Sequence, residues 1–223
     1  MTTCPPCRAD PCECDAYANA CEDAAFGHHF PAPKRYRTIV IDPPWMFDQK
    51  WATSGIPQRY AGKTLYRKPR GAVANYALMT LQEIAALPVS EWADNNAHLY
   101  VWTTNTFMAE AHELMKGWGF KQKTILTWVK PRLGMGTYYR NNTEHVLFGV
   151  KGSLPVLRKD VRTAFYGEQG RHSEKPAAFY DIVESMSPDP RLDVFARKMR
   201  FNWDAWGKEA YNVPGLPQVG IST

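Results

Sequence analysis

The sequence predicts an α/β protein built on a doubly wound, mostly parallel β-sheet. Apolar runs of strand length alternate along the chain with stretches of helical period, the pattern of strand–helix–strand units. The strongest run, RTIVIDPP, is apolar at successive positions rather than at every second one, as expected of a central strand buried on both faces. Asp42, Arg197 and Glu209 each fall at the end of such a run. In open α/β sheets the carboxyl ends of the strands form the ligand crevice.

The strand ending at Asp42 is followed by Pro43 and Pro44, which have no N–H to donate, so they lie beyond the last rung of the ladder. Residues 46–77 show no clean period and read as a long loop. This loop carries Lys50, Arg59, Lys63, Arg67, Lys68 and Arg70 against one acid, Asp48, with aromatic residues interleaved. Thr80 caps a helix, with Glu83 at the capping-box position. AHLYVWTT reads as a strand and FMAEAHELMKGWG as a helix closing on Gly117 or Gly119. KQKTILTWVK is a strand, GMGTYYRNN a loop and TEHVLFGVKG a strand. KPAAFYDIVESM opens with Pro176 at a tolerated first-turn position and places Phe179, Ile182, Val183 and Met186 on one face, so it is a helix. RLDVFAR and NWDAWGKE complete the series as two short strands.

Residues 1–33 form a separate appendage, without apolar periodicity and ending near Pro33. All five cysteines lie here: Cys4, Cys7, Cys12, Cys14 and Cys21. CPPC has the C-x2-C spacing of a zinc knuckle, whereas the remaining spacings are irregular, so a zinc site and a metal-free disordered tail are the two readings. Residues 34–223 are the main domain. No apolar run reaches the length of a membrane span, and the polar, cysteine-rich start is unlike a signal peptide, which sets the expectation of a cytoplasmic location. Against 22 acids the chain carries 27 Lys and Arg, a formal charge of +5 that favours polyanionic partners.

DPPW, residues 42–45, is where chemistry is expected. Two prolines in succession hold the backbone in a fixed extended edge. A carboxylate beside rigid carbonyl oxygens is an acceptor-only site, suited to an exocyclic NH2 group, and the adjacent indole offers a flat face for a base. Such an amine is a poor nucleophile because its lone pair is delocalised over the ring. Acceptors that engage its hydrogens stabilise the positive charge developing during attack on an electrophile such as a sulfonium methyl.

DPPW after a buried strand, then WVK, EHVLFGVKG, EKP opening a helix, LDVFAR and NWDAWGKE, in this order, resembles the MT-A family of adenine-N6 methyltransferases, in its short bacterial and phage form. The resemblance covers about residues 36–211. It implies a class I S-adenosylmethionine-dependent methyltransferase fold, Rossmann-like, with a circularly permuted motif order, and adenine N6 in a nucleic acid as acceptor. By it Asp42, Pro43, Pro44 and Trp45 are the catalytic loop, with Asp42 also beside the donor, and Tyr76 closes over the target base. Glu144 and Lys175 line the site, the lysine suiting a phosphate or a donor carboxylate. Asp193, Arg197, Lys208 and Glu209 match donor contacts, and Lys50, Arg59, Lys63, Arg67 and Lys68 of the basic loop would grip the strand. DNA is the expected substrate. RNA presents the same base edge, and a non-catalytic nucleic-acid-binding partner with a methyltransferase fold is the rival from another class.

Overall fold

The computed structural model describes residues 34–46, 78–134, 138–170 and 174–206, together with the backbone of 58–60, 63–65, 207 and 210–211. Tyr76, Lys50, Arg67, Lys68, Lys208, Glu209 and the five cysteines of the zinc reading lie outside the described residues, and Arg59 and Lys63 are described by backbone alone. Among the described residues no helix is long and apolar enough to cross a membrane, and no group of three or more His, Cys, Asp or Glu could hold a metal ion.

The strands are β1 (Tyr36–Ile41), β2 (Gln58–Tyr60), β3 (Lys63–Leu65), β4 (Ala93–Thr103), β5 (Lys121–Val129), β6 (Thr143–Lys151), β7 (Ala164–Tyr166), β8 (Arg191–Val194), β9 (Trp203–Gly207) and β10 (Ala210–Tyr211). The helices are α1 (Leu81–Ala85), α2 (Val89–Trp92), α3 (Met108–Gly117) and α4 (Ala177–Met186). One eight-stranded sheet runs β10-β9-β8-β1-β4-β6-β5-β7, and β2 pairs with β3 in a small antiparallel hairpin inside the segment expected to be a loop throughout. β9, β8, β1 and β4 are mutually parallel, and β5 is parallel to β7. β6 runs against both its neighbours, so TEHVLFGVKG is the reversed strand of an otherwise mostly parallel sheet.

Burial of β1 on both faces explains its unbroken apolar run. Ile39 and Ile41 pack with Leu99 and Val101 of β4 beneath α1, α2 and α3, while Val40 packs with Tyr100, Trp102, Phe179 and Val183 beneath α4. Ile39, Val40 and Ile41 are fully buried, each contributing roughly 1.5–3 kcal/mol relative to exposure. The sheet is therefore the middle of three layers, and its pleat sorts one sequence run into two cores.

Local signals set the helix ends. Thr80 and Glu83 form the reciprocal capping box, the Thr80 hydroxyl accepting from the Glu83 N–H and the Glu83 carboxylate accepting from the Thr80 N–H. Gly119, at φ +83°, ends α3 in a Schellman arrangement: the Phe120 N–H donates to the Met115 carbonyl and the Gly119 N–H to that of Lys116. Met115 then lies so close to β6 that a Cβ on Gly149 would sit 2.5 Å from its sulfur. Pro176 is the N-cap of α4 rather than its first helical residue.

His98 is buried in β4, with Nδ1 2.8 Å from the Ser187 hydroxyl and Nε2 3.0 Å from the Leu154 carbonyl. Burial lowers its pKa below the ordinary histidine value, opposed by the Leu154 carbonyl. A depressed imidazole means that the unfolded chain binds its proton at a higher pH than the folded one. Stability from this group is thus present above about pH 6.5 and lost as pH falls below it. Urea unfolding of wild type and His98→Gln should show a stability gap that favours the wild type near neutrality and narrows under mild acid.

Candidate active site

Three charged residues that precede prolines meet at the carboxyl edge of the parallel strands. Asp42 directly follows β1, Lys130 directly follows β5, and Lys175 lies two residues before α4, each with proline next in sequence. Proline has no N–H for the ladder, which ends β1 and β5 beside Asp42 and Lys130, and it disfavours helical backbone at Lys175, so α4 starts only beyond it; each charged side chain is left at the lip of its element. Glu144, near the start of the reversed strand β6 and opposite Trp128 in register, joins them because the amino end of β6 lies at the same edge.

The Lys175 ammonium sits 3.2 Å from Asp42 Oδ1 and 2.9 Å from Glu144 Oε2, and its charge lies 4.4 Å from the centre of the Trp102 ring. Lys130 forms a short ion pair with the other Glu144 oxygen and lies over Trp128. Two ammonium groups and two carboxylates thus alternate in one partly buried row. Burial pushes the Asp42 carboxyl up, and Lys175 opposes it. Burial acts the same way on Glu144, but Lys175 and Lys130 outweigh it and hold this carboxyl below its usual range. Burial disfavours the Lys175 charge, yet Asp42 and Glu144 together raise its pKa, so the ammonium persists. Lys175 is thus engaged by two carboxylates of its own chain.

The DPPW edge is fixed from both sides. The Asp42 N–H donates to the Val194 carbonyl as the last bond between β1 and β8, and the prolines follow it, as the sequence required. Trp45 N–H closes on the Pro43 carbonyl at 2.8 Å, and the Pro44 carbonyl accepts from Met79 N–H at 3.0 Å. The Trp45 side chain corrects an expectation. It is 7% exposed, stacked on Phe107 at 5.1 Å, and its Nε1 donates to the Trp102 carbonyl, so it anchors the edge rather than offering a face to a base.

The chain steps from β1 to β4 on one side, whereas β8 reaches β9 on the other, so the topological switch point lies between β1 and β8. A small pocket lies there, lined among others by Asp42, Lys175, Asp193, Phe195, Arg197 and Arg200. Phe195 takes a left-handed turn, φ +65°, directly after β8. Asp193 is buried and accepts the Tyr180 hydroxyl at 2.9 Å. Burial pushes its carboxyl up to about 7, opposed by the Tyr180 hydrogen bond and by Arg200. The Arg200 guanidinium lies 3.3 Å from the Tyr180 ring centre, with its buried Nε lacking a hydrogen-bond partner among the described residues.

Of the expected site residues, the structure brings Asp42, Pro43, Glu144, Lys175, Asp193 and Arg197 to one edge. Lys130, Trp102, Tyr180 and Arg200 were not singled out for the site by the sequence. Lys130 carried a usable signal, since VKP repeats the strand–charge–proline grammar of IDP. Tyr180 and Arg200 carried none beyond ordinary helix and loop composition.

Fold and site define a class I S-adenosylmethionine-dependent methyltransferase, with the DPPW strand ahead of the donor-side strand in the chain. Residues 36–209 match the MT-A70 family, and the chain belongs to this family of adenine-N6 methyltransferases. It is 34% identical over 182 residues to the Type II methyltransferase M.MunI of a Mycoplasma species, the match covering 79% of this chain and 78% of that one. It is 27% identical to a Medicago truncatula protein named a putative N(6)-adenosine-methyltransferase MT-A70-like, over 73% of this chain and 24% of that one. It is 25% identical to human N(6)-adenine-specific methyltransferase METTL4, over 79% of this chain and 38% of that protein. The chain therefore spans most of the bacterial relative and a minor part of the eukaryotic ones.

Asp193 gives a direct test of the pocket electrostatics. Its folded pKa is above the unfolded value, so the stability linked to it is full below about pH 4 and is lost as pH rises through about 7. Urea midpoints of Asp193→Asn relative to wild type should move in favour of the variant as the pH is raised from acidic to mildly alkaline.

Proposed function

We propose that this chain transfers the methyl group of S-adenosylmethionine to N6 of adenine in DNA, in the cytoplasm. The observation that carries the reading is Asp42: a carboxylate at a proline-terminated strand end, held by Lys175 and facing the pocket at the switch point. A substrate amine beside the Asp42 carboxylate and the Pro43 carbonyl, which has a second lone pair beyond its bond from Trp45 N–H, meets two acceptors. Those acceptors draw on its two hydrogens and favour the positive charge that grows on nitrogen as it takes a methyl group and gives up a proton.

The pocket residues suit the methyl donor. Arg197 and Arg200, the latter with its orphaned Nε, offer cations to a carboxylate, while Asp193 and Asp42 offer oxygens to an ammonium, a sulfonium or ribose hydroxyls. S-adenosylmethionine supplies an electrophilic methyl group on a sulfonium. Lys175 keeps Asp42 pointed along the edge, and Glu144, tied down by Lys130, keeps Lys175 from swinging into the pocket. Tyr76 as a cover for the base, Lys208 and Glu209 as donor contacts, and Lys50, Arg59, Lys63, Arg67 and Lys68 as a strand grip belong to this proposal. In support of that grip, Trp45 and Met79 form a bridge beside Asp42, so the basic segment starts and ends at the site.

DNA is favoured because a relative that matches over most of both chains is named a Type II methyltransferase. The Cryphonectria parasitica protein named an N6-methyladenosine RNA methyltransferase is 28% identical, with half of its length covered, and it keeps RNA as the second reading. Mass spectrometry of nucleosides from DNA and RNA of cells expressing the chain decides between them: N6-methyladenine should rise in DNA alone. Asp42→Ala should lower transfer at saturating donor by about 10²–10³-fold, with the circular dichroism spectrum unchanged. Retained activity would falsify the role given to Asp42.

A further inference from the structure

The segment between β5 and β6 takes no part in the chemistry above, yet it rises from the middle of it. Lys130 at one foot and Glu144 just past the other are partners in the charged row. Its two arms are joined near the base, Lys130 N–H donating to the Asn142 carbonyl at 2.7 Å and Gly134 N–H to that of Asn141 at 2.6 Å. The approach is so close that a Cβ on Gly134 would lie 2.6 Å from the Asn141 oxygen, so glycine is required there.

Beyond this clasp, Tyr138 and Tyr139 are 95% and 87% exposed. Arg132 and Arg140 are also exposed, and residues 131–142 contain no acid. Tyr166, 73% exposed at the end of β7 and next but one in the sheet to β6, adds a third ring at the same edge. Adjacent exposed tyrosines on a backbone-clasped loop pack against little among the described residues, and large exposed rings grouped together mark a binding surface. Guanidinium groups interleaved with rings fit phosphates and unstacked bases.

We infer that Arg132, Tyr138, Tyr139 and Arg140 form a second DNA contact, the arginines taking phosphates and the tyrosines stacking on bases exposed when the target adenine leaves the duplex. This rests on the function proposed above. An adenine must leave its stack to reach Asp42, which uncovers its neighbours, and a ring placed against them offsets the unstacking.

Binding of sheared, unmethylated genomic DNA, measured over a range of salt, tests the inference alongside methyl transfer to the same DNA. Arg132→Ala/Arg140→Ala should flatten the dependence of log K on log salt by about two. Tyr138→Ala/Tyr139→Ala should keep the parent's slope but weaken duplex binding about tenfold, and should slow transfer to duplex more than to heat-denatured DNA. Tyr138→Phe/Tyr139→Phe should match the parent, since the ring rather than the hydroxyl is the stated agent. Donor binding at the parent's affinity certifies each variant as folded. If both alanine pairs bind duplex with the parent's affinity and salt slope while the parent methylates DNA, the loop contact is wrong and the function stands. A parent that transfers no methyl group to DNA overturns both, as do losses confined to RNA.

Discussion

The Lys175 ammonium, shared between Asp42 and Glu144, is the interaction on which the site depends. Asp42 and Glu144 come from strands that are not neighbours, β1 and β6, with β4 between them. Lys175 arrives from the far end of the chain ahead of α4 and lies across the ring of Trp102, on that intervening strand. Without a cation there, two partly buried carboxylates would face one another in a low-dielectric setting, and one would take up a proton. With it, the acceptor edge is charged, oriented and held away from solvent. Removing one member of such a row leaves an uncompensated buried charge, which is more damaging than its contact energy suggests.

Support for that row comes from apolar packing on both faces. α4 carries Phe179 and Val183 into the core beneath Trp102, and the same helix presents Tyr180 to Asp193 at the switch point. The charged row and the pocket at the switch point therefore share one helix as their backing. Trp45 does the corresponding work on the other face, where its stack with Phe107 and its bond to the Trp102 carbonyl tie the DPPW turn to the end of β4. A bulky residue held in left-handed backbone, Phe195, follows β8 directly at the switch point and is a site of conformational strain.

Much of this was legible in the sequence because the signals are local. An apolar run such as TIVI can only be a strand buried twice, Thr80 and Glu83 announce a helix start, and proline fixes where a strand must stop. The order of motifs from DPPW to NWDAWGKE carried fold and family together. What sequence could not supply was partnership. Whether Lys175 meets a phosphate or Glu144 depends on β6 being reversed, and nothing in TEHVLFGVKG distinguishes a reversed strand from a parallel one. The indole of Trp45 was read as a base platform for a similar reason: its occupant, Phe107, is 62 residues distant. The hairpin of β2 and β3 was missed because three-residue strands leave no period to read.

Trp45 and Met79 lie side by side, so the segment of more than thirty residues between them begins and ends at a single neck. Closing a longer or shorter excursion through that neck changes the free energy only logarithmically with length. The neck thus lets the length of chain between the two residues vary at little cost to the scaffold on either side of it.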